Sequence, residues 1–436
     1  MKNILSAAPG LQEGIYYAHK DRPGNSFAVV FLRAVQPVDV LKLRRSLSNI
    51  WKRYQNLKEV LVADLKVDGK DSYHRTLTVL FGYGPRFFEL NEIAREKPKY
   101  LNKEWLFLTP GAGRAPIIPD TGLKYADDMG SNEVADDHLI IQFIGDTQLA
   151  THRAVVETWK FLKEIENDEL CAPLVMRSFY TGFNRPDGRS WLGFHDGVSN
   201  VKSTDRIKVI LTDKKALDSV DNWTSGGGTY MAYLRIGVDL NNWESIPTKE
   251  QERIVGRQKT SGCPLAGTDQ YGNNVFSPGC PVKGTHQITE DANYRFREYE
   301  KSYHHPASTR VSVSAFENSH VGRMVKTSER IFRQGYEFLE SIQTYPYFRV
   351  GLNFVSFQGG TDRIYRSIKY GFRRVNFGGD PSSHIPGTEN LLSVYAAGLF
   401  LVPPFNRRDN FPGDVIFNKE QMVSLYGESF SASKLR

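Results

Sequence analysis

The chain has 436 residues, 40% hydrophobic and 24% charged, a composition typical of a folded globular protein long enough for two domains. Its net charge is +7, but the Lys and Arg residues are spread along the chain, so a nucleic-acid-binding surface is not indicated. No apolar run reaches the roughly 18 residues of a transmembrane helix, and the N-terminus lacks a signal-peptide core. We therefore expect a cytoplasmic protein without membrane contact.

The three cysteines, Cys171, Cys263 and Cys280, lack the C-x-x-C spacing of a zinc site. Free cysteines are among the most buried residues in proteins. We expect all three to be buried free thiols.

The first half of the chain contains three predicted strands and two predicted helices. Ser26–Val35 is rich in β-branched and aromatic residues, which favours a strand. Asp39 is a candidate N-cap, and the apolar residues that follow recur at helical spacing: Val40, Leu43, Leu47, Ile50 and Trp51. Leu77–Phe81 and His138–Ile144 are predicted strands, and the latter passes through Gly145-Asp146 into a second helix.

The second half repeats this pattern. A strand is predicted at Thr229–Ile236 and a helix at Thr248–Arg257, and the strand Gly351–Phe357 passes through glycines into a helix around Asp362–Ile368. A strand, a glycine turn and a helix thus follow one another in both halves, which predicts an α+β fold of two similar domains. We place the domains at residues 1–210 and 211–436.

The stretch Gly193–Asn200, GFHDGVSN, is a tight turn that holds an Asp between glycines. The G-x-x-D-G pattern alone is weak evidence for a site. The turn lies near the predicted boundary, however, and ligand sites are common between domains.

His320 is the histidine whose surroundings indicate a cofactor. Arginines follow it closely, and a later apolar strand carries Leu352, Phe354 and Phe357. A haem site needs an imidazole on the iron, apolar walls for the macrocycle and cations for the propionates. The chain contains all three elements.

These features resemble the dye-decolourising peroxidases (DyP-type haem peroxidases), which are marked by G-x-x-D-G, in their longer form without an export signal. The resemblance extends in order through most of the chain: Leu77–Phe88, His138–Asp146, Gly227–Ile236, Ile254–Leu265, Ser319–Phe338 and Gly351–Gln358.

The resemblance implies a role for each site residue. Asp196 corresponds to the distal acid–base aspartate, His320 to the proximal iron ligand and Arg333 to the distal arginine. Leu352 and Phe354 correspond to the apolar pair that restricts the peroxide channel.

Other positions are less closely matched. Asp362, or alternatively Glu329, is the candidate acidic partner of the ligand histidine. The arginine expected to reach a propionate lies one position later than is common in the family, at Arg323, because Gly322 occupies the usual place. His195 could be a second acid–base group or a residue on the surface or propionate side.

The implied fold is two ferredoxin-like domains, with antiparallel sheets packed together, peripheral helices and the haem in the C-terminal domain. The implied activity is that of a haem b peroxidase. It would reduce hydrogen peroxide and oxidise bulky aromatic donors (dyes, phenols) through a ferryl intermediate, with Trp191 and Trp243 as candidate electron carriers or packing residues. A haem-handling or haem-iron-releasing protein is the alternative, and a homo-oligomer is compatible with the sequence.

Overall fold

The computed structural model describes residues 10–17, 23–59, 76–101, 124–125, 137–168, 172–195, 200–201, 203–212, 222–276, 319–326, 330–364, 367 and 391–417. Within these segments, no helix is both long and apolar enough to cross a membrane.

The N-terminal half forms one ferredoxin-like unit. Its elements are β1 (Ser26–Ala34), α1 (Val40–Lys58), β2 (Thr78–Tyr83), β4 (Leu139–Gly145), α2 (Gln148–Asp168) and β5 (Leu174–Phe183). The short strand β3 (Lys124–Tyr125) is not part of this unit, because it pairs with a strand of the second half. The sheet order is β2-β4-β1-β5, and every neighbouring pair is antiparallel. Numbered by their order along the chain, these are the second, third, first and fourth strands of the unit.

Helix α1 begins where the sequence predicts it, directly after Asp39. The Asp39 carboxylate accepts hydrogen bonds from the backbone N–H groups of Leu41 and Lys42, which satisfies two donors at the helix N-terminus. The predicted apolar face of this helix is buried against the outer face of the sheet.

The C-terminal half repeats the same order of strands. After α3 (Ser203–Ile210) come β6 (Thr229–Val238), α4 (Leu240–Ser245), α5 (Thr248–Val255), the hairpin β7 (Leu265–Thr268) and β8 (Asn274–Phe276), α6 (His320–Lys326), β9 (Phe332–Ser341), β10 (Phe348–Gln358) and β11 (Leu392–Val402). The sheet order β9-β10-β6-β11 is again second, third, first, fourth. Strands β4 and β10 hold equivalent places, as their shared pattern of strand, turn and helix predicts. The proposed boundary at residues 210 and 211 falls at the end of α3 and stays a prediction.

The two sheets meet at both edges. β5 pairs with β9 through Phe183 and Glu337, and β11 pairs with β2 through Leu401 and Tyr83. These junctions close eight of the described strands into a ring around a shared core of side chains from both units. Helices α1 and α2 cover the outer face of the N-terminal sheet, and α4 and α5 contribute to a separate apolar cluster on the outer face of the C-terminal sheet.

An N-terminal segment lies across the β2–β11 junction. The Gln12 carboxamide donates to the backbone oxygens of Phe81 (3.1 Å) and Pro403 (2.9 Å) and accepts from the Phe81 N–H (2.9 Å). One buried side chain therefore supplies hydrogen bonds at a junction where the described residues of the two sheets form a single pair.

A buried ion pair joins α1 to the 3-10 turn Asp414–Ile416. Arg44 Nη2 lies 2.7 Å from Asp414 Oδ1, and the two side chains are 6% and 2% exposed. Asp414→Asn leaves the guanidinium buried without its counter-charge, and we expect it to lower the free energy of unfolding by about 3 kcal/mol. Chemical denaturation measures the change. Glu166→Gln, which breaks an exposed pair with Lys163 (2.6 Å), is the control and should cost less than about 1 kcal/mol. Equal losses in the two variants would contradict the buried-charge explanation.

His138, just before β4, should make the stability depend on pH. Burial and the nearby charges of Arg33 and Arg86 lower the pKa of this histidine to about 4, and its Nδ1 accepts from the Ala34 N–H at 3.3 Å. The unfolded chain binds a proton below a pKa of about 6.5, whereas the native protein resists protonation down to about 4. The stabilising contribution is therefore complete above pH 6.5 and is lost as pH falls towards 4, with about 2 kcal/mol lost at pH 5.

Urea unfolding at pH 7 and pH 5 tests this prediction. His138→Asn should remove that part of the loss, whereas His152→Asn, at an exposed position on α2, should leave the loss unchanged. A His138→Asn protein that loses stability as the wild type does would show that another group titrates.

Candidate active site

The N-terminus of α6 positions His320. Ser319 is fully buried. Its hydroxyl accepts a hydrogen bond from the Gly322 N–H at 3.0 Å, and its backbone carbonyl accepts one from the Arg323 N–H at 3.0 Å. Ser319 is thus the N-cap, and His320 is the first residue of the helix with a half-buried side chain.

A glycine sets the contact between α5 and α6. Gly256 ends α5 in the left-handed region (φ 86°), and a Cβ at this position would overlap Ser319 Oγ and lie 2.8 Å from Ser319 Cβ. This close approach puts His320 next to the end of α5, whose Ile254 and Val255 belong to the apolar cluster on the outer face of the C-terminal sheet.

Leu352 and Phe354 lie on that face of β10. They alternate with Val355 and Phe357, which belong to the other side and are fully buried in the shared core. Leu352 and Phe354 remain partly exposed, although their β6 neighbours Ile236 and Leu234 are buried. The pair forms an apolar wall that is not fully covered by the described residues.

Arg333 lies beside this wall on β9. Phe332 and Gln334 belong to the inner side: Phe332 is in the shared core, and Gln334 donates to the Gly14 and Ile15 carbonyls, both at 2.9 Å. Strand alternation therefore puts Arg333 on the outer face, the same face as Phe354. The structure brings His320, Phe354 and Arg333 to one side of the C-terminal sheet.

Asp196 and Glu329 lie outside the described residues. On either side of the segment that contains Asp196, Phe194 belongs to the outer apolar cluster and Asn200 is buried, so the turn begins at the same face. Asp362 lies in the helical turn that follows β10, two residues before the buried Ile364 of this cluster. Its role as the partner of His320 stays a prediction, as does propionate binding by the half-buried Arg323.

His195 is held by an arginine. Arg189 Nη2 lies 3.0 Å from His195 Nε2, and the same guanidinium donates to the carbonyls of Gly193 (2.6 Å), Lys259 (2.7 Å) and Thr260 (3.0 Å). Burial and the Arg189 charge lower the pKa of His195, so the ring is neutral at neutral pH. This geometry favours a structural role that ties the turn to the loop at Lys259–Thr260 over a second acid–base role.

The two tryptophans near the motif differ in environment. Trp243 is fully buried, its Nε1 donates to the Leu192 carbonyl at 3.1 Å, and its ring lies 6.3 Å from that of Phe194. Trp243 therefore packs against the turn. Trp191 is half-buried and lies under the guanidinium of Arg185, 4.9 Å from the ring centroid.

The expectation of three free thiols is wrong for Cys263. This residue is disulfide-bonded, whereas Cys171 and Cys280 lie outside the described residues. The sequence spacing gave no sign of the pairing because a disulfide depends on the distance between residues in the fold.

The side chains on this face fit a haem. They provide one imidazole at a helix N-terminus, an apolar wall that is open enough to contact a flat macrocycle, and two guanidinium groups that follow the histidine in sequence, Arg323 and Arg333. The donor set is that of a haem held by a single histidine.

A short part of the chain is similar to a curated protein. A curated relative, deferrochelatase from Escherichia coli (strain K12), is 37% identical over 75 residues, which are 17% of this chain and 18% of that protein. The chain thus matches less than a fifth of the length of that relative.

Solved structures match over nearly the whole chain. Ferric DtpA from Streptomyces lividans superposes with a TM-score of 0.61 at 19% identity and covers 95% of this chain and 99% of its own. A DyP-type peroxidase from Cellulomonas bogoriensis gives 0.58 at 17% identity, covering 93% and 97%. The encapsulated DyP-type peroxidase from Mycobacterium smegmatis gives 0.56 at 16% identity, covering 94% and 99%. At these identities the likeness establishes the fold, and it confirms the predicted α+β fold with two ferredoxin-like units.

The family profile described as Dyp-type peroxidase, C-terminal, matches residues 187–407. That range is slightly more than half of the chain and includes the GFHDGVSN turn, α6, β9 and β10. The sequence resemblance is confirmed, and the chain belongs to the Dyp-type peroxidase family.

Proposed function

We propose that this protein is a haem b peroxidase that reduces hydrogen peroxide and oxidises bulky aromatic donors such as dyes and phenols. Its family consists of hydrogen-peroxide-dependent oxidoreductases. The observation that carries the proposal is the placement of His320, Phe354 and Arg333 on one outer face of the C-terminal sheet.

In this proposal His320 holds the haem iron through its imidazole, and Arg323 binds a propionate. The bound haem supplies an iron centre that takes two oxidising equivalents from peroxide and passes them on one electron at a time. Leu352 and Phe354 narrow the approach to the iron and admit a molecule as small as hydrogen peroxide. Donors as large as dyes do not enter and are oxidised at the protein surface.

Two residues act on the peroxide. A carboxylate oxygen of Asp196 accepts the proton from the inner peroxide oxygen and delivers it to the outer one, which turns the outer oxygen into a water leaving group. The guanidinium of Arg333 stabilises the negative charge that develops as the O–O bond breaks. Each residue supports the same bond cleavage by a different route.

The deferrochelatase relative favours one other candidate, a protein that removes iron from haem. A distal aspartate and a distal arginine, the roles that the family resemblance implies for Asp196 and Arg333, are better explained by peroxide cleavage, since iron removal needs neither a proton shuttle between two oxygens nor a cation over a breaking O–O bond.

One experiment distinguishes the two functions. The haem-loaded protein is mixed with hydrogen peroxide and an anthraquinone dye, and separately with a reductant and an iron chelator. We expect dye loss that requires peroxide and no release of iron or iron-free porphyrin. Iron-free porphyrin fluorescence without dye loss would support the iron-removing function instead.

A further inference from the structure

The side chain of Asn200 binds both polar groups of the Arg333 backbone. Asn200 Nδ2 donates to the Arg333 carbonyl at 2.8 Å, and Asn200 Oδ1 accepts from the Arg333 N–H at 3.1 Å. The same oxygen also accepts from the Val201 N–H at 2.9 Å, which fixes the side chain relative to its own loop. Asn200 is only 4% exposed, so water competes little for these bonds.

The clamp acts where β9 has little support from a second strand. One side of β9 pairs with β10 along its length, but the described pairing on the other side, with β5, consists of Phe183 and Glu337. Arg333 lies four residues before that pair. A carboxamide carries a donor and an acceptor in one plane, so Asn200 offers Arg333 the hydrogen bonds that a neighbouring strand would offer.

A second buried side chain fixes the same region. Arg206 of α3 is 1% exposed, and it donates to the carbonyls of Val201 (3.0 Å) and Tyr17 (2.6 Å). Its guanidinium also lies 4.8 Å from the ring centroid of Phe332, the residue before Arg333. The loop after the motif is thus fastened to the start of β9 by two neighbouring contacts.

We propose that Asn200 is a positioning residue that fixes the distal arginine relative to the turn bearing the acid–base aspartate. It ends the GFHDGVSN turn, four residues after Asp196, and its side chain binds the backbone that carries the Arg333 guanidinium. The inference rests on the proposed function, in which Asp196 and Arg333 act on one peroxide molecule. Misplacement of a reacting group by about 1 Å can cost about 10²-fold in rate.

Gln12 provides a matched control. It is also 4% exposed, and its carboxamide binds both the N–H (2.9 Å) and the carbonyl (3.1 Å) of Phe81 on β2. Gln12→Ala therefore removes the same type of clamp from a strand that carries no proposed catalytic residue.

The test compares Asn200→Ala, Gln12→Ala, Arg333→Leu and the double variant Asn200→Ala/Arg333→Leu. We expect both clamp variants to lower the melting temperature, but only Asn200→Ala to speed amide hydrogen exchange at Arg333 in the haem-free protein. In the haem-loaded protein, the pre-steady-state rate constant with hydrogen peroxide should fall about 10- to 100-fold in Asn200→Ala and stay near wild type in Gln12→Ala. The double variant should react no more slowly than Arg333→Leu, because Asn200 acts through Arg333.

Three results would overturn the inference. If Arg333→Leu is slow while Asn200→Ala reacts as fast as wild type, the clamp does not position the arginine, although the proposed function stands. If the losses of the two single variants multiply in the double variant, Asn200 acts independently of Arg333. If Arg333→Leu itself reacts at the wild-type rate, the proposed role of Arg333 fails together with the inference.

Asn200→Asp keeps the test decisive if Asn200→Ala does not fold. The carboxylate retains the shape and the acceptor for the Arg333 N–H, but it loses the donor to the Arg333 carbonyl. Because the second carboxylate oxygen would face the Arg333 carbonyl and repel it, we expect a loss of peroxide reactivity at least as large as in Asn200→Ala, again absent when Arg333 is already Leu. Wild-type reactivity of this variant, with exchange at Arg333 accelerated, would show that the clamp is only structural.

Discussion

His320→Ala is expected to yield protein without the Soret absorption band of bound haem, because the proposal gives the iron no other protein ligand. The fold should survive the change: the Ser319 cap and the Gly256 contact, which set the start of α6, do not involve the imidazole. Absorption spectra of the purified protein, scaled to its haem content, measure the effect. Circular dichroism confirms that the variant is folded.

Two controls sharpen this result. His152→Ala removes an exposed histidine from α2 and should leave the spectrum unchanged. Adding imidazole and haem to the His320→Ala protein should restore part of the band, because the apolar wall of Leu352 and Phe354 remains. If the His320→Ala protein keeps its full haem content and normal turnover, His320 is not the iron ligand.

Three of the strands that the sequence predicts correctly have long apolar runs. β1, β4 and β6 are buried along nearly their whole length, which produces continuous hydrophobic segments. β5 was not predicted, since Val175 and Phe179 are exposed and an unpaired residue within this strand, Arg177, breaks its alternation. β9 and β11 were also missed. Because outward positions of β9, such as Arg333, are polar, its sequence was interpreted as part of a functional motif rather than as a strand.

The residues of the candidate site could be named from the family resemblance, and strand alternation predicts that Leu352 and Phe354 share one face. Long-range contacts could not be predicted in this way. Nothing near Asn200 in the sequence indicates that it binds the backbone of a residue 133 positions away, because Asn is ordinary in turns. The contact of Gly256 with Ser319 and the bond from Arg189 to His195 likewise depend on the folded arrangement of separate loops.

Substitution of either proposed distal residue should slow the first reaction with peroxide, and the two substitutions should do so by different amounts. General acid–base groups typically contribute about 10²–10⁴-fold to a rate, and a positioned charge about 10²–10³-fold. Asp196→Asn keeps the shape but removes the proton acceptor, and Arg333→Leu keeps the bulk but removes the charge. We expect both proteins to retain haem, since neither residue is an iron ligand in the proposal.

Arg333→Leu should be the slower of the two. A chain of water molecules can partly replace a carboxylate as proton carrier, whereas a fixed cation on a strand held by Asn200 has no such substitute. Stopped-flow mixing with peroxide at several pH values measures both rates, and Arg177→Leu, an exposed arginine of β5, controls for loss of charge in general. If Arg333→Leu reacts at wild-type speed while Asp196→Asn is inactive, the electrostatic explanation is wrong and the proton transfer by Asp196 accounts for the step.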